Sequence, residues 1–138
     1  MAEMATGGCL CGAFKYQFDR EKVQSAHHCH CTDCQKSTGS GKATILFLQE
    51  ADLSCTGDLK FYTVEGSDGG HVSRGFCPEC GSPVISQVEE MPGVKFVKAG
   101  SLNDSAWVQV DSSFWNASAQ PWSPVDESRH SFAGNPSN

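Results

Sequence analysis

The sequence predicts an all-β fold with one short helical turn, and three observations support this. Apolar and polar residues alternate over short stretches, turn-forming residues separate these stretches at intervals of about ten residues, and one segment alone carries helix signals. Such spacing is typical of a sandwich or a barrel-like fold. The 138 residues are the length of about one domain. We therefore expect a single domain over residues 1–138, with its core at about 6–117 and an irregular tail at about 118–138.

The predicted strands follow the apolar stretches in chain order. In the first, Phe14, Tyr16 and Phe18 alternate with Lys15 and Gln17, the pattern of a strand with one buried face. Further strands are predicted at residues 43–48, 59–63, 72–76, 84–88, 94–98 and 107–110. Residues 56–58, 65–70, 91–93 and 103–104 predict the turns between them, because they are rich in Gly, Asp, Asn and Pro.

The helical turn and the tail complete the predicted fold. Thr32 or Asp33 could cap the start of the helical turn, and Gly39 could end it. From Ser118 onward the chain is polar and contains three prolines. We expect this tail to lie over the domain, anchored by Trp122.

Composition and charge exclude several classes of protein. A hydrophobic fraction of 38% excludes a disordered chain, and no apolar run approaches the roughly 18 residues that span a bilayer. The first six residues lack the apolar segment of an export signal, so we expect a cytoplasmic protein that does not bind membranes. Ten basic against sixteen acidic residues give a net charge of −6. With its basic residues scattered, the chain is not expected to bind nucleic acid.

Eight cysteines are the most unusual feature of the composition. Without an export signal they are expected to stay reduced, which favours metal ligation or thiol chemistry over disulfides. Seven of them fall into three clusters, namely Cys9-Leu10-Cys11, Cys29-His30-Cys31-Thr32-Asp33-Cys34 and Cys77-Pro78-Glu79-Cys80.

The first and last clusters predict a closed zinc site. A C-x-C pair on an extended strand places both side chains on one face, and a C-x-x-C turn brings two sulfurs to one ion. Cys9, Cys11, Cys77 and Cys80 thus supply the four ligands of a structural zinc, which would join the first strand to a late hairpin. The alternative is two unrelated pairs of reduced cysteines.

The middle cluster supplies three ligands, Cys29, Cys31 and Cys34. Three protein ligands and one open position are the pattern of a catalytic zinc. The alternative is a closed site with a fourth ligand from elsewhere in the chain. The residues considered for it are Cys55, His27, His28, His30 and Asp33, with Cys55 the strongest of them and His30 expected to point away.

The ligand set also indicates a type of reaction. Three thiolates give the zinc complex a formal charge of −1, so this ion would be a weaker Lewis acid than one held by neutral imidazoles. It would activate water poorly but could bind an incoming thiol and present it as a thiolate. The cluster therefore favours thiol chemistry over hydrolysis.

The sequence resembles the glutathione-dependent formaldehyde-activating family, which includes the centromere protein V domain. The residues that carry the resemblance are Gly8-Cys9-x-Cys11-Gly12, Cys29-His30-Cys31-x-x-Cys34-Gln35-Lys36, Arg74-x-Phe76-Cys77-x-x-Cys80-Gly81, Gly100-Ser101-Leu102-Asn103-Asp104 and Ser118-x-x-Pro121-Trp122. It implies a β-tent fold with two zinc ions, one structural and one catalytic. It also implies a carbon–sulfur lyase or synthase that adds glutathione to formaldehyde to give S-hydroxymethylglutathione.

A pocket for glutathione, which carries two carboxylates, should offer cations or backbone donors. Lys36, Ser37, Gly39 and Arg74 are the predicted substrate-binding residues. Each also has a structural interpretation: a solvated lysine, an ordinary loop, or an arginine paired with a carboxylate beside the closed zinc site. Two other functions stay open at this point. One is a non-enzymatic binding module in which both zinc ions are structural, and the other is a redox or metal-sensing thiol cluster.

Overall fold

The computed structural model describes residues 3–66 and 69–136. Part of the predicted turn at 65–70 and both ends of the predicted domain lie outside these residues. The strands are β1 (Met4–Gly8), β2 (Lys15–Asp19), β3 (Ser25–Cys29), β4 (Ala43–Gln49), β5 (Ser54–Thr56), β6 (Lys60–Glu65), β7 (His71–Phe76), β8 (Pro83–Val88), β9 (Val94–Lys98), β10 (Ser112–Phe114) and β11 (His130–Ser131). The helices are α1 (Thr32–Thr38) and four 3-10 turns at Arg20–Lys22, Glu50–Asp52, Ala99–Ser101 and Asn116–Ser118. The all-β prediction is confirmed.

The strands form two sheets. A three-stranded sheet has the order β1-β2-β5, and an eight-stranded sheet has the order β11-β10-β3-β4-β9-β8-β7-β6. All neighbours in both sheets are antiparallel except β10, which runs parallel to β3 and to β11.

At β4 the larger sheet packs against a cluster of side chains on each of its faces. Leu46 and Leu48 are completely buried in the main core, whereas Ile45 and Phe47 pack into a second cluster. Since side chains alternate along a strand, the two clusters lie on opposite faces of the sheet. The main core is built from Ala5, Phe14, Tyr16, Phe18, Ala26, Leu46, Leu48, Val84, Ile85, Val97 and Leu102, so the smaller sheet packs against this face.

The second cluster lies under α1 and the C-terminal segment. It contains Cys29, Cys34, Ala43 and Phe114, with Cys31, Ile45, Phe47, Trp115 and Phe132 packed against them. Cysteines of the middle cluster are therefore part of the packing on this face. The thiol groups and the aromatic rings share one environment that is partly shielded from water.

Helix α1 ends where the sequence predicts but is capped differently. Gly39 takes the left-handed conformation, with φ at 70°, and its N–H donates to the Gln35 carbonyl. At the start, the cap is the Cys31 sulfur, which accepts from the Cys34 N–H at 3.2 Å. Thr32 and Asp33 are instead the first two residues of the helix. The prediction that one of them caps α1 is wrong because a cysteine sulfur takes that role.

The predicted strand at Trp107–Val110 is wrong. The indole N–H of Trp107 donates to the Asp104 carbonyl at 2.7 Å, and Val108 N–H donates to Ser105, which together hold a local turn. Five strands, β1, β3, β5, β10 and β11, were not predicted. They are two to five residues long and rich in Gly, Ser, Thr and His, so they carry little of the alternation that marks a strand.

The tail also differs from its prediction. Its residues 130–131 form β11. Trp115 holds this segment: its N–H donates to the Gly134 carbonyl, and its indole N–H donates to Asn135 at 2.8 Å. Trp122 is 68% exposed. The prediction that Trp122 anchors the tail is therefore wrong, since its ring is mostly in solvent.

No helix within residues 3–66 and 69–136 has the length and apolar character needed to cross a membrane. The longest, α1, has seven residues.

Candidate metal centres

The first and last cysteine clusters meet as the spacing predicts. The sulfurs of Cys9, Cys11, Cys77 and Cys80 all lie within 4.8 Å of one another. The Cys9–Cys11 sulfur distance is 3.6 Å and the Cys11–Cys77 distance is 3.7 Å. Sulfurs placed tetrahedrally at about 2.3 Å from a zinc ion would be about 3.8 Å apart. The four sulfurs therefore fit the dimensions of one tetrahedral zinc.

Two turns, rather than a strand and a turn, position these four sulfurs. Cys9 follows β1 directly, and the Gly12 N–H donates to its carbonyl, so Cys9 and Cys11 lie in a turn. The prediction of a C-x-C pair on an extended strand is wrong here. The second turn follows β7, where the Gly81 N–H donates to the Cys77 carbonyl. In each pair, a tight turn thus places the two cysteine sulfurs close together.

Ser82 links the two turns. Its hydroxyl oxygen accepts from the Leu10 N–H at 3.0 Å and lies 3.2 Å from the Cys80 sulfur. Hydrogen bonds to Ser82 lower the pKa of Cys80 to about 5, which favours the thiolate form that a metal requires. A hydrogen bond from the Phe14 N–H lowers the pKa of Cys9 in the same way.

The middle cluster is assembled by the end of β3 and the start of α1. Cys29 is the last residue of β3, Cys31 caps α1 and Cys34 lies within its first turn. Their sulfurs lie within 4.8 Å of one another, and no further His, Cys, Asp or Glu of residues 3–66 and 69–136 joins the group. Cys29 and Cys34 are buried, and Cys31 is half-buried.

Hydrogen bonding within the cluster concentrates negative charge on one sulfur. Bonds from the Cys29 and Cys31 thiols hold the pKa of Cys34 well below its usual value, and the charges of Lys98 and Arg74 lower it further. Hydrogen bonds with Cys31 and Cys34 raise the pKa of Cys29. A bound metal would displace the remaining thiol protons, because cysteine ligates as the thiolate.

None of the residues considered as a fourth ligand brings a ligand atom into the group. Cys55 is exposed on β5, opposite Tyr16 in the smaller sheet. The ring of His27 bonds to Ser112 and Ser25, and that of His28 bonds to Thr44. His30 is completely buried, but neither ring nitrogen has a hydrogen-bond partner. Asp33 is exposed.

Arg74 lies against the middle cluster rather than the one beside it in sequence. One guanidinium nitrogen approaches the Cys34 sulfur at 3.8 Å. Among the described residues, no carboxylate lies within 4.0 Å of this guanidinium. The interpretation of Arg74 as the partner of a carboxylate is therefore wrong, because β7 directs this side chain to the cysteine face.

The other predicted substrate-binding residues lie on and after α1. Lys36 and Ser37 are exposed on the helix, and the Ser37 hydroxyl donates to the Cys34 carbonyl at 3.2 Å. Gly39 follows the helix, and an added Cβ would meet no atom within 4 Å. They lie on or directly after the helix that carries Cys34, and their role in binding substrate stays a prediction.

Lys98 is a residue of this site that the sequence reasoning missed. It is only 8% exposed, and its ammonium lies 3.5 Å from the Ser86 hydroxyl. The one available signal was a lysine at the end of the apolar stretch 94–98, whose preceding residues predict a buried strand.

Two surface clefts lie away from the middle cluster. A cleft of about 490 Å³ is lined by residues around β1 and β2, including Cys9 and Tyr16. A second of about 360 Å³ lies beside β8 and β9. Neither is lined by Cys29, Cys31 or Cys34.

Comparison with known proteins agrees with the cysteine geometry. The family model of the glutathione-dependent formaldehyde-activating enzyme matches residues 4–118. The chain belongs to this family. The match includes all seven clustered cysteines and confirms the resemblance found in the sequence. A search of curated proteins found no match.

A solved structure supports the fold. The crystal structure of a Rhodobacter sphaeroides protein is similar, with a TM-score of 0.55 and 22% sequence identity. The similarity covers 75% of this chain and 90% of that chain. At this level of identity it is evidence for the fold alone.

Proposed function

We propose that this family member is a zinc enzyme that joins glutathione to formaldehyde and forms S-hydroxymethylglutathione. In this reaction a bond forms between the thiol sulfur and the carbonyl carbon, and the thiol proton ends on the carbonyl oxygen. The single observation that supports the proposal is the middle cluster, in which three cysteine sulfurs, but no fourth ligand from the described residues, come together. Family membership supports the choice of substrates.

Each cysteine group would have a different role. Cys29, Cys31 and Cys34 would hold the catalytic zinc, and the four-cysteine group would hold a structural zinc. When bound, the catalytic zinc supplies a positive charge that favours the thiolate form of an added thiol. The chain itself holds the three sulfurs at fixed positions on β3 and α1, and it places Arg74 against Cys34.

The polar residues beside the cluster would bind the glutathione carboxylates. We assign this role to Lys36, Ser37, Gly39 and Arg74, because Arg74 contacts Cys34 and the other three lie on or directly after α1, the helix that carries Cys34. Their charges and N–H groups suit a carboxylate. We expect the reaction in the cytoplasm, where thiols persist in reduced form.

The test is to measure adduct formation by the zinc-loaded full-length protein with glutathione and formaldehyde. NMR exchange spectroscopy would measure the rate, and we expect it to exceed the rate of the spontaneous reaction. Cys31→Ser should lose this excess rate, because serine does not replace the thiolate ligand. The helix should persist, because serine can still cap α1.

Cys55→Ser is the matched control, because Cys55 is an exposed cysteine on the other sheet. It should keep the wild-type rate. A wild-type rate equal to the spontaneous one would contradict the proposal and favour a non-enzymatic module with two structural zinc ions.

A further inference from the structure

Lys98 is a buried cation without a carboxylate partner among the described residues. Its side chain is almost completely buried, and its ammonium contacts the Ser86 hydroxyl at 3.5 Å. No aspartate or glutamate in residues 3–66 and 69–136 lies within 4.0 Å of it. Burying an ammonium is costly unless a negative charge lies nearby. The structure must therefore supply that charge from another group.

Strand register places Lys98 and Arg74 on the same face of the larger sheet. Arg74 on β7 pairs with Ser86 on β8, and Ser86 pairs with Phe96 on β9. Lys98 follows Phe96 by two residues, so both side chains point to the same face. This is the face of Ile45, which pairs with Lys98 and packs with the middle cysteines.

The cysteine sulfurs are the negative groups that balance these two cations. Arg74 contacts Cys34 directly, and its buried Nε has no hydrogen-bond partner. Burial keeps the pKa of Lys98 below its usual value, and the negative charge of Cys34 offsets part of this lowering. Because Lys98 also pairs with Ile45, which packs with the middle cysteines, its charge lies on the face of the cluster.

The formal charges of this site decide which ligand it favours. Three thiolates with Arg74 and Lys98 leave one negative charge in excess, and a divalent ion changes this to one positive charge. A singly charged anion at the open position would bring the site to neutrality. In a partly buried environment, where charges are weakly screened, such neutrality is strongly favoured.

We propose that Lys98, acting with Arg74, makes the three-cysteine zinc site selective for an anionic fourth ligand, a thiolate, over a neutral one. This inference rests on the proposed function only in placing a divalent metal at that site. Lys98 is then a positioning residue that acts through the charge of the site.

The experiment uses full-length protein in which cobalt replaces zinc, because the absorption of cobalt reports its ligands. Wild type, Lys98→Met and Lys98→Arg are titrated near neutral pH with two probes. 2-Mercaptoethanol binds as the anionic thiolate and releases its proton to the buffer, whereas imidazole binds as a neutral ligand. Loss of one unit charge should weaken binding of 2-mercaptoethanol by about tenfold or more. Imidazole binding should change by less than about twofold, because a neutral ligand has no net charge to balance.

Lys98→Arg should bind both probes as wild type does, since it keeps the charge. Lys95→Met is the matched control: Lys95 lies on the same strand but on the opposite face, where it pairs with Glu50 at 3.5 Å. It should leave both affinities unchanged.

Three outcomes would overturn the inference. They are wild-type affinity for 2-mercaptoethanol in Lys98→Met, an equal loss for both probes, or loss of one metal equivalent from Lys98→Met. Failure of the proposed function is recognised separately. If the affinity of cobalt protein for 2-mercaptoethanol depends on Lys98 but zinc protein does not accelerate the formaldehyde reaction, the anion selectivity stands and the enzyme assignment fails.

Discussion

The two cysteine groups use the same ligand atom but differ in number and in surroundings. Four sulfurs from two distant turns complete one tetrahedron, and with a divalent ion they carry two negative charges in excess. Three sulfurs from β3 and α1 lie against Arg74 and near Lys98, and with a divalent ion that site carries one positive charge in excess. The comparison shows that two groups with the same ligand atom differ in ligand number and in nearby charge, and we propose that the first decides whether a site is closed and the second what an open site accepts.

The largest expected effect is loss of the four-cysteine site. Cys77 is 1% exposed, and its sulfur lies 3.7 Å from that of Cys11 in the turn after β1. Structural zinc can contribute about 10 kcal/mol or more, which is comparable with the whole stability of a domain, about 5–15 kcal/mol. Cys77→Ser should therefore unfold the chain, as followed by circular dichroism.

Cys31→Ser provides the other half of this comparison. The variant should stay folded and bind one metal ion per chain instead of two, measured by elemental analysis. Global unfolding of Cys31→Ser, or a folded Cys77→Ser, would show that the two sites do not divide structure and chemistry between them.

Ser82→Ala should have an intermediate effect, confined to the four-cysteine site. Its hydroxyl bonds Leu10 and contacts the Cys80 sulfur, and loss of such a supporting contact commonly lowers metal affinity by about 10–100-fold. Competition with a chelator would measure this loss. Ser73→Ala is the control, because Ser73 on β7 bonds Thr63 instead of a cysteine. Equal affinities in the two variants would show that Ser82 does not support the ion.

Gly39→Ala should have the smallest effect, and it tests the helix of the three-cysteine site. The new methyl group would meet no neighbour, but the backbone φ of 70° is unfavourable for alanine. We expect a loss of about 1 kcal/mol in the free energy of unfolding, measured with denaturant, while metal content stays unchanged. Loss of the second metal ion would mean that the end of α1 controls the positions of the cysteines.

Part of the fold could be predicted because its signals are local. Alternation of Tyr16 and Phe18 with polar neighbours marks β2, and Gly39 marks the end of α1. β10 could not be found in this way: its Ser112-Ser113-Phe114 carries no alternation, and it is a strand only because it lies beside β3.

For the candidate site, the sequence alone determined which cysteines group together, since four sulfurs are what one tetrahedral ion requires and short spacings bring two sulfurs to one point. Only the tertiary structure decided which charges surround the open group. Arg74 is three residues before Cys77 in sequence but contacts Cys34 in space. Lys98 lies 64 residues beyond Cys34 in the chain. Electrostatic interactions depend on the distance between charges in space. For Arg74 and Lys98, the pairing of β7, β8 and β9 in one sheet sets that distance.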